Sequence, residues 1–419
     1  MDLFGYYGIP PDPSREGPHA TSRKLRLRLL LTLVPSVVII LMATGLATYW
    51  ASSEFISIAL ERISRMHAAT TAHAVETFLE RCRAELVFAS TQPTDPHGMQ
   101  AYLDNIRRAT GHDYVEFGYI PVQGGEHIVL VSHGGETVRI PHETVKDIAP
   151  SPMLLYRQVE KLKPGEVSVS PIMEVEYPFP KDMTPHDRIS IPVVRLMTPR
   201  HDAQGRIEGF IYLAVDAREL RNILSLYDSR DSPVFAFPRN PSLSRYSFFF
   251  DVQGWILFQS ESLEKPHAEL STLGIRAVKR GTLGRPGLGN AFRPIEEEVR
   301  YWELVRSTSS GGKGLLRVQE KSTSPIDDKD YYLAYAPVFF TTVEGEEPQV
   351  VGGVAFVDRS SLIELAGYNH FDVMVVITVL AVLTVTVAIV FISKRTTTGL
   401  MELAQAVQEV RQKGDWEEI

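Results

Sequence analysis

Several local groups in this 419-residue chain hold side chains that could do chemistry, and their spacing excludes most of them. Gly311-Gly312-Lys313-Gly314 has the glycines and lysine of a loop whose backbone N–H groups cradle phosphates. The Ser or Thr that should follow the lysine is replaced by Gly314, and no strand-loop-helix pattern surrounds the segment, so it reads as a turn. Gly281, Gly284, Gly287 and Gly289 miss the dinucleotide-binding spacing and read as loop. His127 and His133, with His112 and His142 nearby, carry imidazoles that could ligate a metal, but their spacing fits no standard tetrahedral site. Asp327-Asp328-Lys329-Asp330 lacks the full pattern of a calcium loop, and Glu296-Glu297-Glu298 reads as an exposed face. No nucleophile lies beside a base, so the sequence predicts no catalytic residue, no resident metal and no cofactor.

The elements around these residues are set by two apolar runs. After Asp372, Val373 to Phe391 holds no charge over about 20 residues, enough to cross a hydrocarbon core about 30 Å thick. Lys394 and Arg395 follow at once, which puts that end in the cytoplasm. An earlier run, Leu29 to Trp50, is preceded by Arg23, Lys24, Arg26 and Arg28 and ends on Tyr49 and Trp50, which suit a membrane interface. A cleaved signal peptide shares the basic flank, but the run is longer than a signal peptide's apolar core. Two spans with basic inner flanks would enclose the region between them as an extracytoplasmic part. The chain is acidic, with a formal net charge of −8, and offers no nucleic-acid surface. Its single cysteine, Cys82, has no partner within the chain and reads as a small buried apolar side chain, with an intersubunit disulfide as the alternative. Met1 to Thr21, rich in Pro and Gly, reads as a disordered tail.

From Ser52 to Ser90 there is neither Pro nor Gly, and apolar residues recur at helical spacing: Phe55, Ile58, Ile63, Met66, then Val75, Leu79, Cys82, Leu86. The spacing predicts a stalk helix about 57 Å long, with one stripe serving both its own domain and a partner subunit. Strands follow. Tyr114 to Val122 and His127 to Ser132, joined by Gly124-Gly125, read as a hairpin. A helical piece is expected at Met153 to Leu162. Extended runs come at Val167 to Val175, Ile189 to Met197 and Ile207 to Val215. The second half repeats the plan. The segment from Gly209 to Asp216, with Leu220 four residues on, is echoed by Gly352 to Asp358 with Leu362. Arg195 to Pro199 is echoed by Leu333 to Pro337, and a second hairpin runs Tyr246 to Asp251 and Trp255 to Ser260. Two similar antiparallel α+β modules in tandem are implied.

A first span, a long external helix, two tandem PAS-like modules each ending in strand-Asp-helix, and a second span together resemble the double Cache sensors of bacterial transmembrane receptors. The resemblance covers most of the chain. Beyond the second span, Leu400, Leu403, Val407 and Val410 step by three and four, as in a coiled-coil seam, and with Gly414-Asp415 they resemble the first helix of a HAMP domain. The boundaries it implies are a cytoplasmic tail 1–28, span 29–50, stalk 51–90, distal module 91–228, proximal module 229–370, span 371–393 and partial HAMP 394–419. HAMP modules relay motion to something downstream, so the resemblance implies an effector beyond this chain, a histidine kinase before a chemotaxis receptor, diguanylate cyclase or phosphatase. An anchored extracytoplasmic enzyme and a ligand-free assembly protein are the readings from other classes. It also implies an inner-membrane homodimer with cytoplasmic termini, and a relay through Asp358, Leu362 and the seam.

In such receptors the ligand sits in the distal module, between the sheet and the covering helix and loop. Tyr156, Arg157, Arg188, Arg195, Tyr212 and Asp216 are the positions there that could hold it. The arginines suit an organic anion, because a guanidinium's planar fork makes two parallel hydrogen bonds. Amino-acid-binding relatives carry Arg-x-Trp-Tyr in the distal module. Here the nearest match, Arg300-Tyr301-Trp302-Glu303, is incomplete and falls in the second module.

Overall fold

The computed structural model describes residues 18–112, 114–133, 135–178, 188–228, 245–260, 283–285, 288–294, 299–320, 329–342, 347–359 and 361–413. The segments Glu296-Glu297-Glu298, Asp327-Asp328 and Gly414-Asp415 and residues Gly281 and Gly287 lie outside them, as do residues 1–17. Two compact units emerge, 1–57 with 362–419 and 58–361.

The first unit is built from helix. Helix α1 (Pro18–Ala89) passes through it, and α7 (Ser361–Lys413) runs from its start to the last described residue. The expected tail 1–28 is therefore helical from Pro18 onward. A stretch within Pro35–Ala89 and the stretch Val375–Thr396 are long and apolar enough to cross a membrane, with mean hydropathies of 1.4 and 3.0. Their large apolar side chains, such as Ile39, Leu46, Leu383 and Val387, are exposed. A buried core helix would cover such side chains, whereas lipid leaves them uncovered and an α-helix satisfies its own backbone.

The second unit carries the predicted tandem. Helix α2 (Pro96–Thr110) is opened by Asp95, whose carboxylate accepts from the N–H groups of His97 and Gly98, and closed by Gly111 at φ +70°. These are the cap chemistries that end-of-helix N–H and C=O groups require. Strands β1 (Glu116–Pro121), β2 (Ile128–His133), β3 (Glu136–Arg139), β4 (Ser168–Val169), β5 (Met173–Pro178), β6 (Arg188–His201) and β7 (Ile207–Asp216) form the first antiparallel sheet. Its order is β3-β2-β1-β7-β6-β4, with β5 beside β6. Short helices α3 (His142–Val145) and α4 (Tyr156–Val159) lie between β3 and β4, and α5 (Arg218–Asp228) follows β7. The run expected as one strand from Val167 to Val175 is two, with Pro171, which has no N–H to give a ladder, between them.

The second sheet uses β8 (Arg245–Asp251), β9 (Ile256–Gln259), β10 (Leu283–Arg285), β11 (Leu288–Arg293), β12 (Gly314–Glu320), β13 (Lys329–Phe340) and β14 (Gln349–Arg359) in the order β10-β11-β9-β8-β14-β13-β12. Helix α6 (Val299–Ser309) lies between β11 and β12. In both sheets the first hairpin pairs with the last strand, which pairs with the one before it, so the repeat read from Gly209–Asp216 and Gly352–Asp358 is a repeat of topology. Gly311-Gly312 closes α6: Gly311, at φ +80°, donates to the Thr308 carbonyl and Gly312 to that of Ser307. That is a left-handed helix cap, and it accounts for the glycines.

Alternation along the strands gives each sheet two faces. Ile211, Leu213 and Val215 of β7 and Phe117 and Tyr119 of β1 join Val75, Leu79, Cys82 and Leu86 of α1 in one apolar cluster. Val354 and Phe356 of β14 belong to the same cluster, so α1 packs on both sheets. Each fully buried Leu or Val contributes roughly 1.5–3 kcal/mol. Two carboxylates fix the helix lengthwise: Glu76 accepts from the Phe339 N–H at 3.0 Å and Glu80 from that of Thr341 at 2.9 Å. The chain is thus α+β, with a long N-terminal helix and two antiparallel-sheet modules.

Candidate functional site

The opposite face of the first sheet holds a charge that its surroundings do not dictate. Glu116 on β1 and Arg195 on β6 are both registered against Ala214 of the intervening β7. Alanine's single methyl lets the two side chains meet across the strand. Arg195 Nε donates to Glu116 Oε2 at 2.8 Å, with the side chains 1% and 0% exposed. Tyr177 on β5 donates its hydroxyl to the same Oε2 at 2.9 Å, and Arg195 Nη1 donates to the Pro150 carbonyl at 2.6 Å. Among the described residues, Arg195 Nη2 and Glu116 Oε1 have no hydrogen-bond partner. Burial by itself lowers the guanidinium's pKa, but the carboxylate beside it reverses this and the proton is held more tightly than usual. Burial, with Glu116 close by, pushes the phenols of Tyr177 and Tyr212 well up.

Tyr212 lies one step along the face, registered against Gly118 and Met197. A methyl at Gly118 would sit 2.2 Å from the Tyr212 ring, so the close approach of ring to backbone requires glycine here. The Tyr212 hydroxyl is 2.9 Å from His127 Nε2. Burial, aided by His142 and Arg195, lowers the His127 pKa to about 4, so the imidazole is neutral at physiological pH. Tyr156 on α4 packs edge-on against Phe210, with ring centroids 4.6 Å apart. The segment carrying α3 and α4 covers this face through Val145, Ile148, Leu155 and Val159.

Of the six expected binding positions, Arg195, Tyr212 and Tyr156 share this face. Arg188 is exposed at the start of β6 and pairs with Glu176 at 3.3 Å. Asp216 ends β7, where it accepts from the backbone N–H of Arg218 at 2.9 Å and pairs with the Arg218 guanidinium, a role that anchors the start of α5. The side chain of Arg157 is outside the described residues. Glu116 and Tyr177 were missed, and His127 was weighed only as a metal ligand. A signal for Glu116 exists, since a lone carboxylate between Val115 and Phe117 in an apolar strand must find a partner if its face is buried.

The second module differs at the corresponding face. Tyr246, Phe248, Phe250, Tyr301 and Tyr335 fill it with aromatic rings, and the Tyr301 hydroxyl is satisfied by the Gly254 carbonyl at 2.7 Å. Arg300, in the partial motif, is exposed and pairs with Glu303 at 2.9 Å.

Cavities lie elsewhere among the described residues of this unit. One of about 330 Å³ opens at the strand ends between Phe78, His112, Ser132, Asp216 and Arg218. Another, of about 260 Å³, lies between the sheets against Leu79, Ser170, Val194, Phe249 and Asp251. A Ser-His-Asp grouping of buried residues also occurs. His67 Nε2 is 2.9 Å from Asp228 Oδ1 and 3.5 Å from Ser247 Oγ, while Ser247 donates to Asp228 at 2.8 Å. Nucleophilic catalysis needs the serine and the carboxylate on opposite ring nitrogens. Here both address Nε2, and all three residues are at most 3% exposed, so the group is a structural tie between α1, α5 and β8. Among the described residues, no three His, Cys, Asp or Glu gather as a metal site.

No family model matches the sequence, and no curated protein matches it. Among solved structures, the chain is similar to the periplasmic sensory domain of the Campylobacter jejuni chemoreceptor Tlp1, at 11% identity over 73% of this chain and 96% of that one, with a TM-score of 0.46. It is similar to the extracellular domain of the putative histidine kinase mmHK1S-Z3, at 14% identity over 76% and 97%, with a TM-score of 0.41. It is also similar to the ligand-binding domain of the Pseudomonas fluorescens chemoreceptor CtaA in complex with L-isoleucine, at 12% identity over 75% and 98%, with a TM-score of 0.41.

Proposed function

We propose that this chain is the sensory and membrane-crossing part of a bacterial inner-membrane receptor of the double Cache type, binding a small extracytoplasmic ligand in its distal module. The observation that carries this reading is the contrast between the two modules. Where the second is filled by aromatic rings, the first buries an ion pair in which Arg195 Nη2 and Glu116 Oε1 have no partner among the described residues, beside two tyrosines and a neutral histidine. Leaving buried polar atoms unpaired is destabilising by about 1–3 kcal/mol each, so such a cluster is more naturally completed by a ligand than kept for stability.

The module boundaries near residues 91–228 and 229–370 follow the repeat. The ligand biases the equilibrium between two arrangements of the distal module in a homodimer. Strand β14 carries Asp358 near its end and α7 begins at Ser361 and carries Leu362, the shortest covalent route from the sheets to the second span. Leu400, Leu403, Val407 and Val410 then form the seam of a HAMP helix, in which Leu403 and Val407 are exposed on the single chain and free to pack on a second copy. The effector downstream is taken to be a histidine kinase of a two-component system.

The test is thermal unfolding of the full chain in lipid nanodiscs against carboxylates, amides, amines and amino acids. A ligand at a hundred times its dissociation constant contributes about 2.7 kcal/mol. A stabilising compound whose effect disappears in Tyr212→Phe or Arg195→Met supports the reading. A flat response across the panel overturns it.

A further inference from the structure

Arg195 does not stand alone, and this bears on the charge of whatever the site accepts. Its guanidinium is 1% exposed and already carries a counter-ion, Glu116, at 2.8 Å and 0% exposed. The pair is neutral as a unit. An anion brought to Arg195 would lie against the Glu116 carboxylate in a dry environment, where an uncompensated charge is strongly disfavoured. An ammonium brought to Glu116 would meet Arg195 in the same way. The pair does offer donor and acceptor capacity at Arg195 Nη2 and Glu116 Oε1, both buried and, among the described residues, without a hydrogen-bond partner. Glu116 Oε2 already accepts from Arg195 Nε and the Tyr177 hydroxyl, and Arg195 Nη1 donates to the Pro150 carbonyl, so Nη2 and Oε1 are the atoms of the pair left without a partner among the described residues.

We infer that Glu116 is a specificity-determining residue, which makes the distal site select a net-neutral group that both accepts and donates hydrogen bonds, as a primary carboxamide does, and reject simple anions. This rests on the reading of that face as the ligand site, and it replaces the organic anion that the arginines alone suggest. Tyr177 holds the Glu116 carboxylate in place and acts as a positioning residue. Removing the Glu116 charge while keeping its shape should invert the preference, because Arg195 would then lack a counter-ion.

The experiment is thermal unfolding of the full chain in nanodiscs with acetamide, acetate or methylammonium at matched ionic strength, with hydrogen exchange to locate the effect. In the natural chain acetamide should raise the melting temperature and slow amide exchange in β6 around Arg195, with acetate and methylammonium at least tenfold weaker. In Glu116→Gln acetate should become the stabilising probe, its apparent affinity rising at least tenfold. The contrast between acetamide and acetate in the natural chain decides the question even if Glu116→Gln does not fold. Protection of β6 by acetate equal to that by acetamide overturns the role of Glu116 and leaves the ligand site standing. No protection of β6 by any probe overturns both.

Discussion

Arg195→Met is the perturbation whose size the structure fixes best. The substitution keeps an unbranched apolar side chain of similar length and removes the positive charge, leaving the Glu116 carboxylate buried without its counter-ion. Two unit charges about 4 Å apart at an effective dielectric constant of about 20 attract by roughly 4 kcal/mol. Breaking one side of a buried pair is destabilising by about 3–5 kcal/mol, and the two figures agree. For a large domain each kcal/mol lowers the melting temperature by about 2 °C, so the expected fall is about 6–10 °C. Replacing both partners, Glu116→Leu with Arg195→Met, removes the stranded charge, so the double variant should recover more than half of that loss. Calorimetry of the four proteins of this cycle in nanodiscs gives the coupling energy directly. A single variant within 1 °C of the natural chain, or a double variant as unstable as the two singles added together, would refute the claim that these groups act as one buried pair.

Titration of His127 supplies a second prediction. Its pKa is about 4 in the folded chain, against about 6.5 for an unperturbed histidine. The unfolded state therefore binds more protons between those values, and stability that is complete above about pH 6.5 is lost as pH falls towards 4, by up to about 3 kcal/mol. Unfolding followed across pH 4–7 should show this slope in the natural chain and a flatter profile in His127→Gln. Gly118→Ala should cost about 1–3 kcal/mol, because the added methyl must displace the Tyr212 ring, and a melting temperature unchanged within 1 °C would count against the close contact. Cys82 is 3% exposed and its thiol is pushed up to about 12 by burial, so iodoacetamide at pH 8 should label it only after unfolding. Asp228→Ala should speed hydrogen exchange at the Ser247 amide, which now donates to that carboxylate at 2.6 Å.

Much of the architecture could be read directly. Charge-free runs and flanking lysines and arginines marked the helices that suit a bilayer, and Gly124-Gly125 marked the first hairpin. The topological repeat was visible because both modules end in the same Gly-to-Asp strand. Helix α2 was passed over although Asp95-Pro96 is a cap signature, since the mixed composition of Gly98–Thr110 masks its buried stripe of Met99, Leu103 and Ile106. Helix α6 is not evident in the sequence, where its closing glycines read as a turn without showing that a helix precedes them. Arg195 stood out as a guanidinium whose planar fork suits an anion. Its partner Glu116 is 79 residues away, and only the register of β1, β7 and β6 across Ala214 brings them together. Local spacing carries no trace of that register, so the counter-ion of Arg195 was not legible in the sequence. Asp216 shows the reverse limit, for a carboxylate repeated at the end of a strand can serve the backbone of the following helix.

The most direct measurement of the central claim is hydrogen exchange of the full chain in nanodiscs, with and without whichever panel compound raises the melting temperature most. The account predicts slower exchange in β1, β6 and β7 around Glu116, Arg195 and Tyr212, with the aromatic face of the second module unchanged. Protection confined to the second module, or to the strand-end cavity beside Asp216, would contradict it.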